Sequence, residues 1–341
     1  MKKISADEQL ADAIAEYYDD PLGYVMFAFP WDTFQPIQLV ELAPKYQERF
    51  GCKYGPDQWA CEFLDALGED IKENKFDGHT SVEPLQYATV SGHGIGKSVM
   101  VAFLIKFIMD TRPYSKGTVT ANTAEQLKTK TWAELGKWHK LSLTEHWFDY
   151  NTGRGAMNLT HKKNKETWRC DAQTCREENS EAFAGQHAAS ATSFYIFDEA
   201  SAVPDKIFEV REGGTTDGEP MVFDFGNGTR NSGRFFEHCA GRFRHRYKVR
   251  SIDSRDVGIT NKKRIKAWEE DYGEDSDFFK VRVRGMFPSA GSLQFISTES
   301  VEEAQGRELP DDKHAPLVLG VDVARFGDNE SVIYPRVGFD C

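Results

Sequence analysis

The sequence holds no apolar run able to cross a bilayer. Its longest apolar stretches, such as Val99 to Ile105, fall far short of the roughly 20 residues a spanning helix needs. The opening MKKISADEQL is basic and then acidic, with no apolar centre and no cleavage pattern, so no secretory signal is read. Asn-x-Ser/Thr matches at 158–160, 227–229 and 329–331 are therefore taken as chance. Cysteine is sparse. The six thiols (52, 61, 170, 175, 239, 341) form no CxxC pair, and Cys170 with Cys175 lack the second pair a zinc site needs. Scattered free thiols suit a reducing compartment, and a soluble cytoplasmic chain is expected. Positive charge is also short: 42 Lys and Arg stand against 54 Asp and Glu, a formal net charge of −12. That balance argues against a surface that coats nucleic acid, though it leaves room for a local basic strip. Internal repeats and low-complexity tracts are missing as well.

What is present is ordinary globular composition, 40% apolar and 28% charged, over 341 residues. That length suits two domains, or one large domain with extensions, and a core that needs no disulfide or metal. Residues 7–18 carry apolar positions at helical spacing, and YVMFAFPWDTFQP (24–36), broken by Pro30 and Pro36, reads as a packed irregular arm. Gly55-Pro56-Asp57 can start a helix through Trp59, Phe63, Leu64 and Leu67. From Leu85 short apolar runs recur at 85–90, 118–121, 193–197, 221–225 and 247–252, with longer segments between them. Alternating strands and helices predict an α/β fold around a mainly parallel, covered sheet. The expected division is an N-terminal arm over 1–84, a core over 85–257, a linker region over 258–315 and a new strand from 316.

LQYATVSGHGIGKSVMVAF places a strand, a small-residue loop and an apolar helix in succession, the setting a phosphate-binding loop requires. Ser91, Gly92, His93, Gly94, Ile95 and Gly96 form the loop, whose backbone N–H groups and helix N-terminus favour phosphate oxygens. Lys97 is placed to reach the β- and γ-phosphates and the Ser98 hydroxyl to ligate Mg²⁺. Ser91 stands where the pattern has its first glycine. A dinucleotide fingerprint fits worse, because Lys97 takes the place of the third glycine. SFYIFDEAS (193–201) is an apolar strand delivering Asp198 and Glu199 to a sheet edge: Asp198 for Mg²⁺, Glu199 for the attacking water. FDFGNGTRNSG (223–233) ends a third strand in a polar loop where Asn227 and Thr229 are candidates to sense a γ-phosphate and Arg230 to bear on its charge; a plain turn remains the other reading.

These motifs, in this order, resemble the large terminase subunit of tailed bacteriophages, the motor that packages DNA into procapsids. The resemblance runs through SGHGIGKS, VTANTAEQLKTKTWAEL (119–135), EAFAGQHA (181–188), IFDEAS, FGNGTRNSGRFFE, RSIDSRDV, VRVRGMFP and LGVDVARFGDNESVI. It implies a P-loop NTPase of RecA/ASCE type, ATP and Mg²⁺ as ligands, Glu199 and Lys97 as catalytic groups, and Asn227 and Thr229 as coupling residues. It implies an arginine finger, for which Arg154, Arg176 and Arg230 stand open. Double-stranded phage DNA, a portal protein, a small terminase subunit and a homo-oligomeric ring in the host cytoplasm, docked on the procapsid, are the implied partners and place. The family's second half is an RNase H-like nuclease, in which Asp322 corresponds to the first metal carboxylate, with Asp328 and Glu330 nearby. Residues 316–341 make only an opening hairpin, so no nuclease activity is expected of them. Where the family reads adenine through a Trp-Gln pair, Ala60 follows Trp59 and Gln58 precedes it. A truncated prophage remnant and a helicase-like ATPase are the alternatives.

GRFRHRYKVR (241–250) sets Arg242, Arg244, Arg246, Lys248 and Arg250 at alternate positions. On a strand these would share one face, either tracking a phosphate backbone or pairing with acids. Arg282 and Arg284 in VRVRG repeat the spacing.

Overall fold

The computed structural model describes residues 5–32, 37–153, 156–175, 183, 190–289, 315–323 and 331–337. The chain divides into two compact units, Met1–Pro288 and Ser289–Cys341, so the first unit runs some way past the division expected at 257. In the first unit two short strands, β1 (Val40–Glu41) and β2 (Tyr54–Gly55), pair with each other. An eight-stranded sheet follows from β3 (Leu85–Ser91), β4 (Lys116–Thr120), β5 (Phe148–Gly153), β6 (Ala156–His161), β7 (Arg169–Ala172), β8 (Thr192–Asp198), β9 (Glu219–Gly226) and β10 (Lys248–Ile252). Its order is β10-β3-β9-β8-β4-β7-β6-β5. The first six strands in that order are parallel, and β6 and β5 continue it antiparallel. Every residue of β8 and β9 is buried, as in strands covered on both faces. This is a P-loop-type α/β sheet flanked by helices.

The N-terminal segment is part of that core. A helix, Pro21–Ala28, runs into the first residues of the stretch expected as irregular; it is started by Pro21 and capped by the Asp20 carboxylate, which accepts from the Gly23 amide at 2.9 Å. Leu22, Tyr24 and Val25 are wholly buried, so helical spacing is hidden in a segment apolar all round. Phe29, Trp31, Phe103 and Trp138 then interlock, with Phe103 and Trp138 at 4.7 Å and Phe29 and Trp138 at 5.1 Å, tying this segment to the helix Lys97–Thr111. Asp57 sits at the cap position of the helix Gln58–Asn74, but its carboxylate is turned to another segment and accepts from the amides of Gly258 (2.7 Å) and Ile259 (3.3 Å). Residues 258–288, expected as linker, include the helix Lys262–Tyr272 and a π turn, Lys280–Arg284.

The basic stripe is not a strand face. Arg244–Arg246 form a 3₁₀ turn, and the strand starts only at Lys248. Tyr247 explains the change: it stacks on buried His238 at 4.1 Å and accepts from Arg211 at 2.9 Å, so the chain must turn before it enters the sheet. Of the five cations, Lys248 pairs with Asp70, Arg250 donates to the Glu62 carbonyl at 3.1 Å, Arg244 donates to the Tyr247 carbonyl at 3.0 Å, and Arg246 lies 3.9 Å from Glu212. Arg242 is exposed, its backbone amide held by Glu237 at 2.6 Å. Arg282 and Arg284 lie on the π turn, the first over the Phe278 ring and the second paired with Asp275 at 3.3 Å.

His139, 3% exposed, keeps Nδ1 without a hydrogen-bond partner among the described residues. Burial, then the charges of Lys106, Lys162 and Lys140, push its pKa down to about 3. The unfolded chain therefore holds one more proton than the folded chain between that value and the ordinary range near 6.5, and stability falls as pH drops through this window. The expected slope is about 1.4 kcal/mol per pH unit for this one proton. Urea unfolding of wild type and His139→Gln at pH 7 and 5 should show the variant losing about 2 kcal/mol less. Equal losses would remove His139 from the acid response.

The second unit is described by a hairpin, β11 (Leu317–Asp322) antiparallel to β12 (Val332–Val337). Among the described residues no helix is long and apolar enough to cross a membrane.

Candidate active site

The chemistry gathers at the C-terminal edge of the parallel strands, where ligands bind in open α/β sheets. β3 ends in Ser91, and the loop turns through Gly94 (φ +74°) and Gly96 (φ +86°), left-handed conformations that other residues rarely adopt. The helix Lys97–Thr111 then begins with no acidic residue in its first turn, leaving its positive end open to an anion. Two loop amides are already engaged, Gly92 with the Ile252 carbonyl (3.0 Å) and His93 with that of Arg282 (2.8 Å). His93 is pushed down to about 4, first by burial and then by Lys97, Arg282 and Lys130, so it is neutral at pH 7.

Ser91 fills the place of the missing glycine with a bond: its Oγ accepts from Lys97 Nζ at 3.3 Å. Lys97 also donates to Asn227 Oδ1 at 3.2 Å. Burial draws the Lys97 ammonium below its ordinary range, against the attraction of Glu199 and Asp198 and with added repulsion from Lys130. A phosphate beside it would restore the charge. Asn227 stands where β9 ends, between β3 and β8 in the sheet order. It is 3% exposed, and its Nδ2 donates to the carbonyls of Ser91 (2.6 Å) and Gly92 (3.1 Å), so one amide spans the loop and its lysine.

Asp198 ends β8 and is 3% exposed. Its Oδ2 accepts from Ser98 Oγ at 3.0 Å and from Thr131 Oγ1 at 2.7 Å, and its Oδ1 from the Glu199 amide at 3.1 Å. Ser98 and Asp198 are hard oxygen donors bonded directly to each other beside the cavity, a donor set that fits Mg²⁺, an ion that takes few protein ligands and keeps water and phosphate oxygens for the rest. Glu199 adopts φ 58°, ψ 43°, a left-handed conformation that costs an ordinary residue of order 1–3 kcal/mol. The strain turns its half-buried side chain into a cavity of about 500 Å³ shared with Lys97, Ser98 and Asn227. Other walls are aromatic and apolar, among them Trp31, Val40, Trp59 and Trp138, with Trp59 Nε1 donating to the Ile95 carbonyl at 3.0 Å. The space is of a size and polarity to hold a nucleotide.

Several candidates stand apart. Gln58 is exposed and donates to Glu62 at 2.8 Å; the glutamine in the cavity wall is Gln38, from a segment that sequence reading passed over. Thr229 and Arg230 are exposed and outside the cavity lining, with Thr229 N bound to the Asn227 carbonyl at 2.8 Å. Arg154, Arg176, Asp328 and Glu330 lie outside the described residues, as do all but Phe183 of 181–188. Asp322 closes β11, in register with Val332. Thr131, Glu134 and Trp138 were also missed, although their i, i+3, i+7 spacing after the second long strand marks one helix face.

No family model matches the chain. The probable terminase large subunit of Enterobacteria phage P7 is 29% identical over 271 residues, 72% of this chain and 51% of that protein, so the chain spans about half the length of this relative. Among solved structures, the large terminase of bacteriophage HK97 aligns with a TM-score of 0.53 at 12% identity, covering 93% of this chain and 67% of that one. The large terminase of a thermophilic bacteriophage, solved in complex with ADP, aligns at 0.48 and 12% identity over 74% of this chain and 64% of its own. In sequence the chain is similar to the P7 large terminase subunit, and in fold to the HK97 large terminase.

Proposed function

We propose that the chain is the ATP-hydrolysing motor part of a large terminase, driving double-stranded phage DNA into procapsids. The observation that carries this reading is the convergence of Lys97, Ser98, Asp198, Glu199 and Asn227 on one cavity edge. Loop amides and Lys97 would bind the β- and γ-phosphates of ATP, and Ser98 with Asp198 would hold Mg²⁺. When bound, that ion neutralises charge developing on the phosphate oxygens. Glu199 is positioned to orient a water and accept its proton as the water oxygen bonds to the γ-phosphorus. The bond to the bridging oxygen breaks, leaving ADP and inorganic phosphate. Asn227 touches both the loop and Lys97, so a change in phosphate occupancy at Lys97 is felt at the end of β9; this supports a coupling role for Asn227, and Thr229 would follow through its amide bond to Asn227.

On this reading a portal protein, a small terminase subunit and neighbouring copies in a ring are the partners, in the host cytoplasm. The β11–β12 hairpin is the opening of an RNase H-like nuclease domain with Asp322 as its first metal carboxylate. Turnover of Mg·ATP with and without duplex DNA tests the motor reading. Hydrolysis that rises with duplex is expected, and hydrolysis indifferent to it would contradict a translocase.

A further inference from the structure

We infer that Thr131 is a positioning residue for the Asp198 carboxylate, an inference that rests on the nucleotide site proposed above. Thr131 lies on a helix that begins at Ala124 and runs to Leu141, interrupted by a π turn over Leu127–Trp132. Such turns are rare inside α-helices and recur at functional sites. This one brings the adjacent residues Thr131 (1% exposed) and Trp132 (0%) to the interior together with Leu127 (0%).

A threonine inside a helix ordinarily turns its hydroxyl back to the carbonyl four residues earlier. Thr129, on the same helix, does this, donating to the Glu125 carbonyl at 2.7 Å. Thr131 instead sends its one proton across the fold to Asp198 Oδ2 at 2.7 Å. That oxygen also accepts from Ser98 at 3.0 Å, which occupies its two lone pairs, while Oδ1 takes the Glu199 amide. Because the Asp198 side chain is buried away from bulk solvent, the Thr131 bond helps fix the plane of the carboxylate. A metal would meet an acceptor already oriented, which is how outer partners tune a metal site. The same helix contributes Glu134 and Trp138 to the cavity wall, so its placement is tied to the nucleotide.

The test uses Thr131→Val, which keeps the shape and removes the hydroxyl, and Thr131→Ser, which keeps the hydroxyl. Binding of Mn²⁺ to the protein–ADP complex, read from the electron paramagnetic resonance of free Mn²⁺, needs no turnover. ADP affinity in EDTA is the control. The valine variant is expected to bind Mn²⁺ about tenfold more weakly, the serine variant like wild type, and both to bind ADP unchanged in EDTA. Wild-type Mn²⁺ affinity in the valine variant would overturn the positioning role and leave the nucleotide site standing, as would a serine variant as weak as valine. A wild-type protein whose ADP complex takes up no Mn²⁺ would overturn the site and this role together.

Discussion

Glu199→Gln is expected to lower ATP hydrolysis by about 10²–10⁴-fold, the usual worth of a general base, while leaving ATP affinity within a few-fold. Glutamine keeps the size of the side chain and still reaches the cavity, but it cannot accept the proton of a water. The backbone gives a second handle on the same residue. Glu199 is held at φ 58°, where glycine sits without strain. Glu199→Gly should therefore raise stability by about 1 kcal/mol while also losing turnover, which separates folding from catalysis at one position. Phosphate release with saturating ATP, beside equilibrium binding of ATP, reads both quantities. A loss smaller than tenfold in the glutamine variant would assign the water to another group.

The second large effect is on stability. Arg211, Asp224 and His238 are each 1% exposed or less and form a closed set around Asp224 of β9. Arg211 donates to both Asp224 oxygens and to Tyr247, and His238 Nδ1 lies 2.9 Å from Asp224. Burial acts to raise the Asp224 carboxyl, but Arg211 and His238 outweigh it and hold the group below the usual carboxylate range. Arg211→Met would leave that carboxylate buried beside an apolar chain, at an expected cost of about 3–5 kcal/mol. The double replacement Arg211→Met with Asp224→Leu removes both charges and should recover most of the loss, since an apolar pair of similar volume is often as stable as an ion pair. Urea unfolding measures all three proteins. A single variant within 1 kcal/mol of wild type would show that the set contributes little.

Local chemistry was legible in the sequence and tertiary placement was not. SGHGIGKS and IFDEAS read correctly as a strand-loop-helix and an acidic strand end because each depends on neighbours within a few residues. The structure brings Lys97 and Asp198 to one edge, but sequence alone did not place β9 between β3 and β8, which is what makes Asn227 a partner of Lys97. Alternation over 242–250 suggested a strand, yet Tyr247 is pinned by Arg211 and His238, and neither tie is local. Gln38 went unread for a related reason: one amide carries no pattern until folding sets it beside the cavity. The helix Pro21–Ala28 was hidden by being apolar on every side.

The central claim, a hydrolytic ATP site built on Lys97, meets its most direct test in steady-state phosphate release by this chain. Wild type and Lys97→Ala are to be compared with Mg·ATP, in the presence and absence of duplex DNA. Turnover in wild type that duplex increases is expected, with turnover at background in Lys97→Ala under both conditions. Equal activity in the two proteins, or none in either, would contradict it.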